Sequence, residues 1–484
     1  MATVEEKASP HVVLFPFLAH GHVPAFLRLA DLLRARRPGL EVTLVSTPRI
    51  LGTLSLPPAS SPPLRLHALP FSPADHGLPP GADSLADIQV HQFITFFQAS
   101  ESLRPAFEEF LSGIVTSSRS APLCVVSDAF FGWTADVARA NGASHAVFLP
   151  GGAFGNAVFF SVWEHLPHAR TDADEFPLLP DFPGITLHRT QIPRYMLPAT
   201  GADPWSAFFR RVAASCRDTG AILVNTVREL EPSCLDMLRR SFGAPTWPIG
   251  PVLAAPAPSD DDAGIIQWLD AHPPRSVLYV SFGSQNSITA DKMRVLARGL
   301  EASGRPFLWA LRPPLGFDAK GGAFRAEWLP AGFEERAARA GTGMLVRGWA
   351  PQVRILSHPC TGAFLTHCGW NSVLESLSAG VPLLGWPLGA EQFFNAKLVV
   401  EEWGVCVEVA RGNMESSAVG EEEVAEAVRT VIGETEKGGE MRRKAAAIAR
   451  AMADAWEEPG GSAAESLEGF LRSVETSVRR DAQL

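Results

Sequence analysis

Hydrophobic residues in this chain form short runs that alternate with amphipathic stretches, which predicts repeated strand–helix units. The run HVVLFPF at residues 11–17 is typical of a buried strand, and residues 24–36 carry apolar side chains at helical spacing. Strands that alternate with helices form parallel sheets, so the pattern predicts an α/β fold. Further apolar runs predict strands at residues 41–46, 64–69, 123–127, 221–225, 276–282, 306–311, 344–346, 362–365 and 381–385.

A change of composition separates two such series. The segment APTWPIGPVLAAPAPSDDDAG is rich in Pro, Ala and Asp and has no periodicity, which is typical of a linker. We predict an amino-terminal domain at residues 1–248, a linker at 249–264 and a carboxyl-terminal domain at 265–455. We expect the last helix, in residues 456–484, to return to the amino-terminal domain. Both domains should be doubly wound, and ligands of such sheets bind beyond the carboxyl ends of the strands, which predicts a site in the cleft between the domains.

Composition and charge exclude several classes of protein. The net charge is −10 and no stripe of Lys and Arg is present, which argues against a nucleic-acid partner. No apolar run approaches the roughly 20 residues that a membrane-spanning helix needs, and the first ten residues lack the features of a signal peptide. The six cysteines show no paired short spacing, which favours free thiols over disulfides or a zinc site. We therefore expect a cytoplasmic protein. No sequence feature indicates the oligomeric state, and a monomer is the default expectation.

The segment TGAFLTHCGWNSVLES reads as a strand, a tight turn and the start of a helix. Gly369 allows the turn, and Asn371 and Ser372 stand where the helix begins. The unpaired N–H groups and the dipole of a helix start suit a phosphate, to which His367 could also donate. Glu375, one turn further on, could hold ribose hydroxyls. An ordinary capped helix is the alternative, and it explains Asn371 and Ser372 equally well but not the other residues.

The longer segment WAPQVRILSHPCTGAFLTHCGWNSVLESLSAGVPLLGWPLGAEQ resembles, over its full length, the signature box of the plant family 1 UDP-dependent glycosyltransferases. The rest of the chain resembles the same family. The resemblance implies the GT-B fold, in which two Rossmann-like domains face a cleft. It implies an inverting transfer from a UDP-sugar, used as co-substrate, to a small-molecule hydroxyl, with no metal and no other cofactor. It also makes residues 1–248 the acceptor domain and residues 265–455 the donor domain.

The resemblance implies a role for each residue of the box. Trp349 stacks on the uracil, Ala350 and Gln352 contact the uridine, and Glu375 binds the ribose. The diphosphate is bound by His367, Asn371, Ser372 and Ser284. The sugar hydroxyls are contacted by Trp370, Glu391 and Gln392. The alternatives are that the tryptophans are core residues, that Glu391 and Gln392 only open a helix, and that Ser284 is only a turn residue.

Two loop positions in the amino-terminal half are candidates for catalysis. The first strand is followed by LAHGHVP, and a neutral histidine can accept a proton near pH 7. The family resemblance points to His22 as the base and makes His20 a bystander, although Pro24 comes one place earlier than is usual in the family. The resemblance pairs this base with Asp128, which ends another strand and would orient it. The alternative for Asp128 is to cap the following helix.

The resemblance further implies a hexose donor, and we expect UDP-glucose. In the family, Gln at position 392 goes with glucose, and the neutral Trp370 offers no partner for a glucuronate. Pro150 and Gly151 replace the Thr or Ser that the family often has near this position, which removes one sugar contact and leaves xylose or another sugar as alternatives.

The amino-terminal half carries many aromatic residues, and some of them would suit the wall of a pocket for a small, flat, apolar acceptor. Flavonoids, other phenolics, terpenoids and hormones are of this type. We expect His22 and Ala390 to contact the acceptor. The candidate wall residues are Phe93, Phe96, Phe97, Phe130, Phe131, Trp133, Phe154, Phe159, Phe160 and Trp163.

Two other functions fit part of this pattern. A GT-B epimerase would act on a UDP-sugar, but it would need acid–base carboxylates near the sugar and no apolar pocket. A non-catalytic binder of a small apolar ligand would not need His22 and Asp128. The sequence favours the transferase.

Overall fold

The structure is a computed structural model, and it divides into two compact units. Unit 1 comprises Met1–Leu166, Ala199–Ala254 and Ala455–Leu484, and unit 2 comprises Pro167–Pro198 and Ala255–Asp454. The residues that the structure describes are 11–54, 63–118, 124–253, 262–285, 287–317, 324–412 and 419–481.

Strands and helices alternate along most of the chain, as the hydrophobic pattern predicts. The strands are β1 (His11–Phe15), β2 (Glu41–Ser46), β3 (Arg65–Ala68), β4 (Cys124–Asp128), β5 (Ser144–Leu149), β6 (Glu175–Leu178), β7 (Phe182–His188), β8 (Ala221–Val224), β9 (Thr246–Pro248), β10 (Val277–Ser281), β11 (Phe307–Leu311), β12 (Gly343–Arg347), β13 (Thr361–Thr366), β14 (Leu383–Gly385) and β15 (Cys406–Glu408).

The α-helices are α1 (Val23–Arg36), α2 (Pro48–Gly52), α3 (Phe93–Ser100), α4 (Arg104–Ser118), α5 (Thr134–Ala140), α6 (Ala153–His165), α7 (Pro204–Arg217), α8 (Pro232–Phe242), α9 (Ala263–Asp270), α10 (Ala290–Ser303), α11 (Phe333–Ala340), α12 (Gln352–Leu356), α13 (Trp370–Ser378), α14 (Gln392–Lys397), α15 (Glu421–Ile432), α16 (Glu436–Asp454) and α17 (Ser462–Asp481).

Each unit is built on one parallel sheet. The unit 1 sheet has the strand order β3-β2-β1-β4-β5-β8-β9, and the unit 2 sheet has the order β12-β11-β10-β13-β14-β15. All residues of β1, β4, β10 and β13 are buried, which explains why their sequences are continuous apolar runs and not alternating ones. The α/β class with parallel sheets is therefore confirmed.

Both sheets have a topological switch point. In unit 1 the chain builds outward from β1 through β2 to β3, and then returns to place β4 on the other side of β1. In unit 2, β10 and β13 have the same relation. The loops that leave the two central strands diverge, which opens a crevice at the carboxyl ends of the strands, where ligands of doubly wound folds bind.

The last helix belongs to unit 1. Leu467, Phe470 and Leu471 of α17 lie in the same hydrophobic core as residues of β1, α1 and β4. Arg37 at the end of α1 also donates to Glu468, with an Nη1–Oε2 distance of 2.8 Å. Apolar packing and ion pairs thus hold α17 within this unit.

One segment groups differently from the predicted division of the chain at residue 248. The hairpin of β6 and β7 and the residues around it, Pro167–Pro198, belong to unit 2. One physical reason is a long-range hydrogen bond, because Arg411 Nη1 donates to Thr190 Oγ1 at 3.0 Å. Nothing in the sequence indicates this contact, since the two residues are 221 positions apart.

Two further observations concern the surroundings of the protein. All six cysteines are buried and none forms a disulfide. Across the parts of the chain that the structure describes, no helix combines the length and the apolar character that crossing a membrane requires.

Candidate functional site

His22 and Asp128 meet at the switch point of the unit 1 sheet. Asp128 is the last residue of β4, and His22 is the N-cap of α1, after the loop that follows β1. His22 Nδ1 lies 2.6 Å from Asp128 Oδ2. Nδ1 is the donor of this hydrogen bond to the carboxylate, so in the neutral imidazole the lone pair is on Nε2. The Asp128 side chain is 1% exposed and that of His22 is 27% exposed, so the imidazole remains accessible to a ligand.

Asp128 caps a turn as well as holding His22. Its Oδ1 accepts from Phe130 N at 3.2 Å, at the start of the turn Ala129–Phe131. The cap and the orienting hydrogen bond use different oxygens of one carboxylate, so the two predicted roles are compatible. His20 is an exposed residue of the turn that precedes His22.

Helix α1 begins directly after His22 despite the early proline. Pro24 occupies the second helical position, where a missing N–H breaks no intrahelical hydrogen bond. The departure from the family pattern therefore leaves His22 at the start of the helix.

Two aromatic rings lie beside His22. The ring centroids of Phe17 and Phe130 lie 6.0 and 5.7 Å from that of His22, and Phe130 packs edge-on against Phe97 at 5.1 Å. Phe130 is partly exposed and offers an apolar surface beside the histidine. Phe96, Phe131 and Trp163 from the predicted wall are fully buried, so these three are core residues.

The predicted donor residues follow the carboxyl ends of the central unit 2 strands. Ser281 pairs with Thr366, and Thr366 pairs with Gly385, so β10, β13 and β14 end level with one another. His367 comes directly after this row and Ser284 three residues after it. The parallel register therefore brings both residues to the switch point between β10 and β13.

Two glycines hold the His367 ring between them. Gly283 has a φ of +76°, and a Cβ there would come within 2.6 Å of His367 Cε1. A Cβ on Gly369 would overlap His367 Nε2. Burial lowers the pKa of His367 to about 4, so the imidazole is uncharged at neutral pH. It can donate one hydrogen bond to an anion without adding a charge.

Helix α13 begins at a glycine, which has no side chain to cap it. Gly369 is the N-cap, which places Asn371 and Ser372 in the first turn, at the second and third helical positions. Neither residue occupies the capping position, which removes the simple capping interpretation. Cys368 precedes the cap with a φ of +61°, and Asn395 Nδ2 donates to its carbonyl oxygen at 3.1 Å. The turn is thus held in a strained conformation, and the helix begins without a side-chain cap at Gly369.

A hydrogen-bond network joins Gln352, Ser372 and Glu375. Gln352 Nε2 donates to Glu375 Oε2 at 2.7 Å and to Ser372 Oγ at 3.1 Å. Gln352 Oε1 accepts from Tyr279 Oη at 3.3 Å. Burial raises the pKa of Glu375, and the Gln352 amide opposes that shift by bonding to the carboxylate. Gln352, expected to contact the uridine, and Glu375, expected to bind the ribose, are therefore adjacent. Gln352 also orients the Glu375 carboxylate.

The two tryptophans of the box have opposite environments. Trp349 is 84% exposed, which leaves its indole face open for stacking on a base. It leads into Ala350, which is buried and whose carbonyl oxygen accepts from Gln352 N at 2.8 Å. Trp370 is 3% exposed and its ring lies 6.0 Å from that of Trp403. Its indole is a core group, so a sugar contact from Trp370 would have to come from its backbone.

The sugar-binding candidates share one turn. Ala390 has a φ of +50°, and Gln392 is the first residue of α14. Gln392 Oε1 accepts from the backbone N–H groups of Leu388 at 3.1 Å and Gly389 at 3.0 Å. The amide oxygen is thus engaged by the turn, and the Nε2 group is the part of Gln392 left to donate to a ligand.

Tyr195 is a neighbour of this turn that sequence reasoning did not identify. Burial raises the pKa of Tyr195, and the negative charge of Glu391 raises it further, so the phenol lies within the electrostatic range of that carboxylate. Tyr195 lies in the segment that the sequence analysis assigned to the other domain, so no local pattern could have indicated it.

Comparisons with known proteins identify the family of this chain. A family profile described as "UDP-glucoronosyl and UDP-glucosyl transferase" matches residues 248–445. The chain is 40% identical to UDP-glycosyltransferase 92A1 of Arabidopsis thaliana, over 95% of this chain and 96% of that protein. It is 41% identical to crocetin glucosyltransferase 3 of Crocus sativus, over 96% and 98% of the two chains.

A solved structure extends the likeness to the fold. The crystal structure of Glycyrrhiza uralensis UGT73P12 with glycyrrhetinic acid 3-O-monoglucuronide superposes with a TM-score of 0.82 at 28% identity, covering 98% of this chain and 97% of that one. The fold is therefore GT-B, as expected. The chain belongs to the plant UDP-glycosyltransferase family and is a glycosyltransferase enzyme. The epimerase and the non-catalytic binder are thereby set aside.

The placement of His367 in the donor site can be tested through the glycine that contacts it. We expect Gly283→Ala to weaken UDP binding roughly tenfold or more, because the new methyl group displaces His367 and removes a hydrogen bond to a charged group. The measurement is the Kd for UDP by titration calorimetry.

Gly304→Ala is the matched control, because Gly304 has a φ of +67° and no atom within 4 Å of the added methyl group. Both variants carry the same backbone strain, but only Gly283→Ala collides with the imidazole. Equal losses of UDP affinity in the two variants would contradict the role given to His367.

Proposed function

We propose that this enzyme transfers glucose from UDP-glucose to a hydroxyl of a small, largely apolar acceptor, with inversion at the anomeric carbon. The observation that carries the proposal is the 2.6 Å hydrogen bond between His22 Nδ1 and Asp128 Oδ2. In the neutral imidazole this hydrogen bond leaves the lone pair on Nε2, which makes Nε2 the basic nitrogen of a side chain that is 27% exposed.

The proposed reaction is a single displacement. The acceptor hydroxyl gives its proton to His22 Nε2 while its oxygen bonds to the anomeric carbon of the sugar. The bond from that carbon to the diphosphate oxygen breaks, and UDP leaves with the bonding electrons. Asp128 stabilises the imidazolium that forms, without taking the proton itself.

The donor is bound by the residues that follow the unit 2 strands. The exposed Trp349 suits the uracil, and the Glu375 carboxylate, held by Gln352, suits the ribose. His367 and the open N-terminus of α13 suit the diphosphate and the charge that develops on it. Ser284 follows β10, and Asn371 and Ser372 follow the neighbouring strand β13, so we assign them as further donors to the same group.

The acceptor class is inferred from the surface beside His22. The partly exposed Phe130, which packs on the buried Phe17 and Phe97, gives that surface an aromatic face, which fits flavonoids, other phenolics, terpenoids or hormones of similar shape. Two relatives support this class, since one is named for crocetin and a solved one holds a glycyrrhetinic acid glucuronide. The monomeric state and the cytoplasmic location stay predictions, and so does contact of Ala390 with the acceptor.

The base can be identified by comparing two neighbouring histidines. His22→Ala should lower kcat roughly 10²- to 10⁴-fold, the usual contribution of a positioned general base, while the Kd for UDP changes little. The measurement is UDP release with UDP-glucose and a panel of phenolic acceptors.

His20→Ala is the matched control, since it removes an exposed imidazole from the same loop and should keep most of the activity. A severe loss in His20→Ala together with a mild one in His22→Ala would show that the base is assigned to the wrong residue.

The reaction should not require a metal ion. In the described segments no group of three or more His, Cys, Asp and Glu side chains is arranged to hold one. Helix N–H groups and side-chain donors would then do the work that Mg²⁺ does in other diphosphate sites. We expect full activity in excess EDTA, measured as product formed per minute. A requirement for added Mg²⁺ or Mn²⁺ in the purified enzyme would refute this expectation.

The donor preference should depend on Gln392. Its oxygen is held by the turn, so the amide nitrogen donates to the sugar while the Glu391 carboxylate accepts. An axial 4-hydroxyl, as in galactose, would leave one of these groups unpaired at a cost of about 1–3 kcal/mol, which is roughly tenfold to hundredfold in rate. Equal concentrations of UDP-glucose, UDP-galactose, UDP-xylose and UDP-glucuronate in competition should therefore give mainly the glucoside.

Preferred use of any of the other three sugars would overturn the choice of glucose and leave the transferase intact. Xylose is the informative competitor, because Pro150 supplies no hydroxyl to the sugar.

A further inference from the structure

Arg312 is a half-buried arginine that forms no ion pair with any carboxylate in the described parts of the chain. Other arginines of unit 2 are paired, such as Arg354 with Asp262 at 2.7 Å and Arg336 with Glu301 at 2.6 Å. The Arg312 guanidinium instead donates from Nη1 to the carbonyl oxygen of Gly283, at 3.4 Å. Burial lowers the pKa of Arg312 because desolvation disfavours its charge. A cation in such a place is unfavourable unless an anion joins it.

The position of Arg312 in the sheet brings it to the donor site. It follows β11 directly, and the pairing of Val280 with Trp309 puts Arg312 level with Gly283. Gly283 therefore contacts Arg312 through its carbonyl oxygen and His367 through its α-carbon. These contacts limit the separation of Arg312 Nη1 and His367 Cε1 to about 10 Å. That upper limit is about one Debye length at 0.1 M salt, so salt would only partly screen the charge of Arg312 from an anion bound beside His367.

The other groups expected at the diphosphate carry no formal positive charge. The diphosphate of a nucleotide sugar has two negative charges, and it gains another when the sugar departs. His367 is uncharged at neutral pH, and the segment from His367 to Ser376 contains no Lys or Arg. The N-terminus of α13 contributes only about half an elementary charge. None of these groups therefore brings a full positive charge, whereas Arg312, level with Gly283 on the neighbouring strand, carries one.

We propose that Arg312 supplies the formal positive charge of the diphosphate site. Its guanidinium binds the donor from the β11 side, while His367 and the N-terminus of α13 bind it from the β13 side. The same charge stabilises UDP as the bond to the sugar breaks. This inference rests on the proposed function, because it takes a UDP-sugar as the donor.

The test compares ligands that differ only in phosphate. Arg312→Gln should raise the Kd for UDP roughly tenfold to hundredfold, because a charge-assisted contact is lost. The loss should be smaller for UMP and absent for uridine, which has no phosphate. Arg312→Lys, which keeps the charge but not the geometry, should recover part of the affinity for UDP. Titration calorimetry with each ligand gives these constants.

Arg305→Gln is the matched control. Arg305 lies just before β11, at the opposite end of the same strand, and the substitution changes the net charge equally. We expect its Kd for UDP to equal that of the unaltered enzyme. The dependence of the UDP Kd on salt concentration should also become weaker in Arg312→Gln and stay unchanged in Arg305→Gln.

Two results would overturn the proposal. In one, Arg312→Gln binds UDP as tightly as the unaltered enzyme. In the other, it loses as much affinity for uridine as for UDP, which would show that Arg312 only supports the Gly283 turn. If the unaltered enzyme does not bind UDP at all, the proposed function itself fails, and this inference fails with it.

Discussion

The proposed reaction of this enzyme depends on one hydrogen bond, between His22 Nδ1 and Asp128 Oδ2. The strand order of the unit 1 sheet makes that bond possible. The two residues are 106 positions apart, and they meet because β1 pairs with β4 at the switch point of the sheet. The carboxylate selects the imidazole tautomer and supports the charge that develops on the ring. Without it, His22 would be one more histidine in a loop.

The unit 2 sheet has the same kind of switch point, and we propose a different role for it, which is to bind the donor. In the proposed function its switch point binds the diphosphate, with backbone N–H groups, an uncharged imidazole and tight turns as the binding groups. Glycine at 283 and 369 leaves room for His367, and the strained Cys368 turns the chain into α13. In this proposal the neutral His367 and the N-terminus of α13 supply hydrogen bonds to the diphosphate, and Arg312 supplies the formal positive charge.

Features formed by contiguous residues could be predicted from the sequence, whereas contacts between residues far apart in the chain could not. Strands, helices and the donor box are contiguous patterns, so they could be recognised. The link from Gln352 to Tyr279, the approach of Tyr195 to Glu391 and the position of Arg312 depend on strand register and on a hairpin that groups with unit 2. The sequence also could not show that the two tryptophans of the box differ in burial. Trp349 is exposed, whereas Trp370 is a core residue. His22 and Asp128 were identified through family resemblance and not through spacing.

The most direct test of the central claim is the protonation of the His22 ring in the enzyme with UDP bound. Nitrogen-15 chemical shifts of labelled histidine at pH 8, assigned by the signal that disappears in His22→Ala, report which ring nitrogen carries the proton. The account predicts a protonated Nδ1 and an unprotonated Nε2, with Nδ1 losing this preference in Asp128→Asn. A ring protonated on Nε2 could not accept the acceptor's proton there, and it would contradict the mechanism.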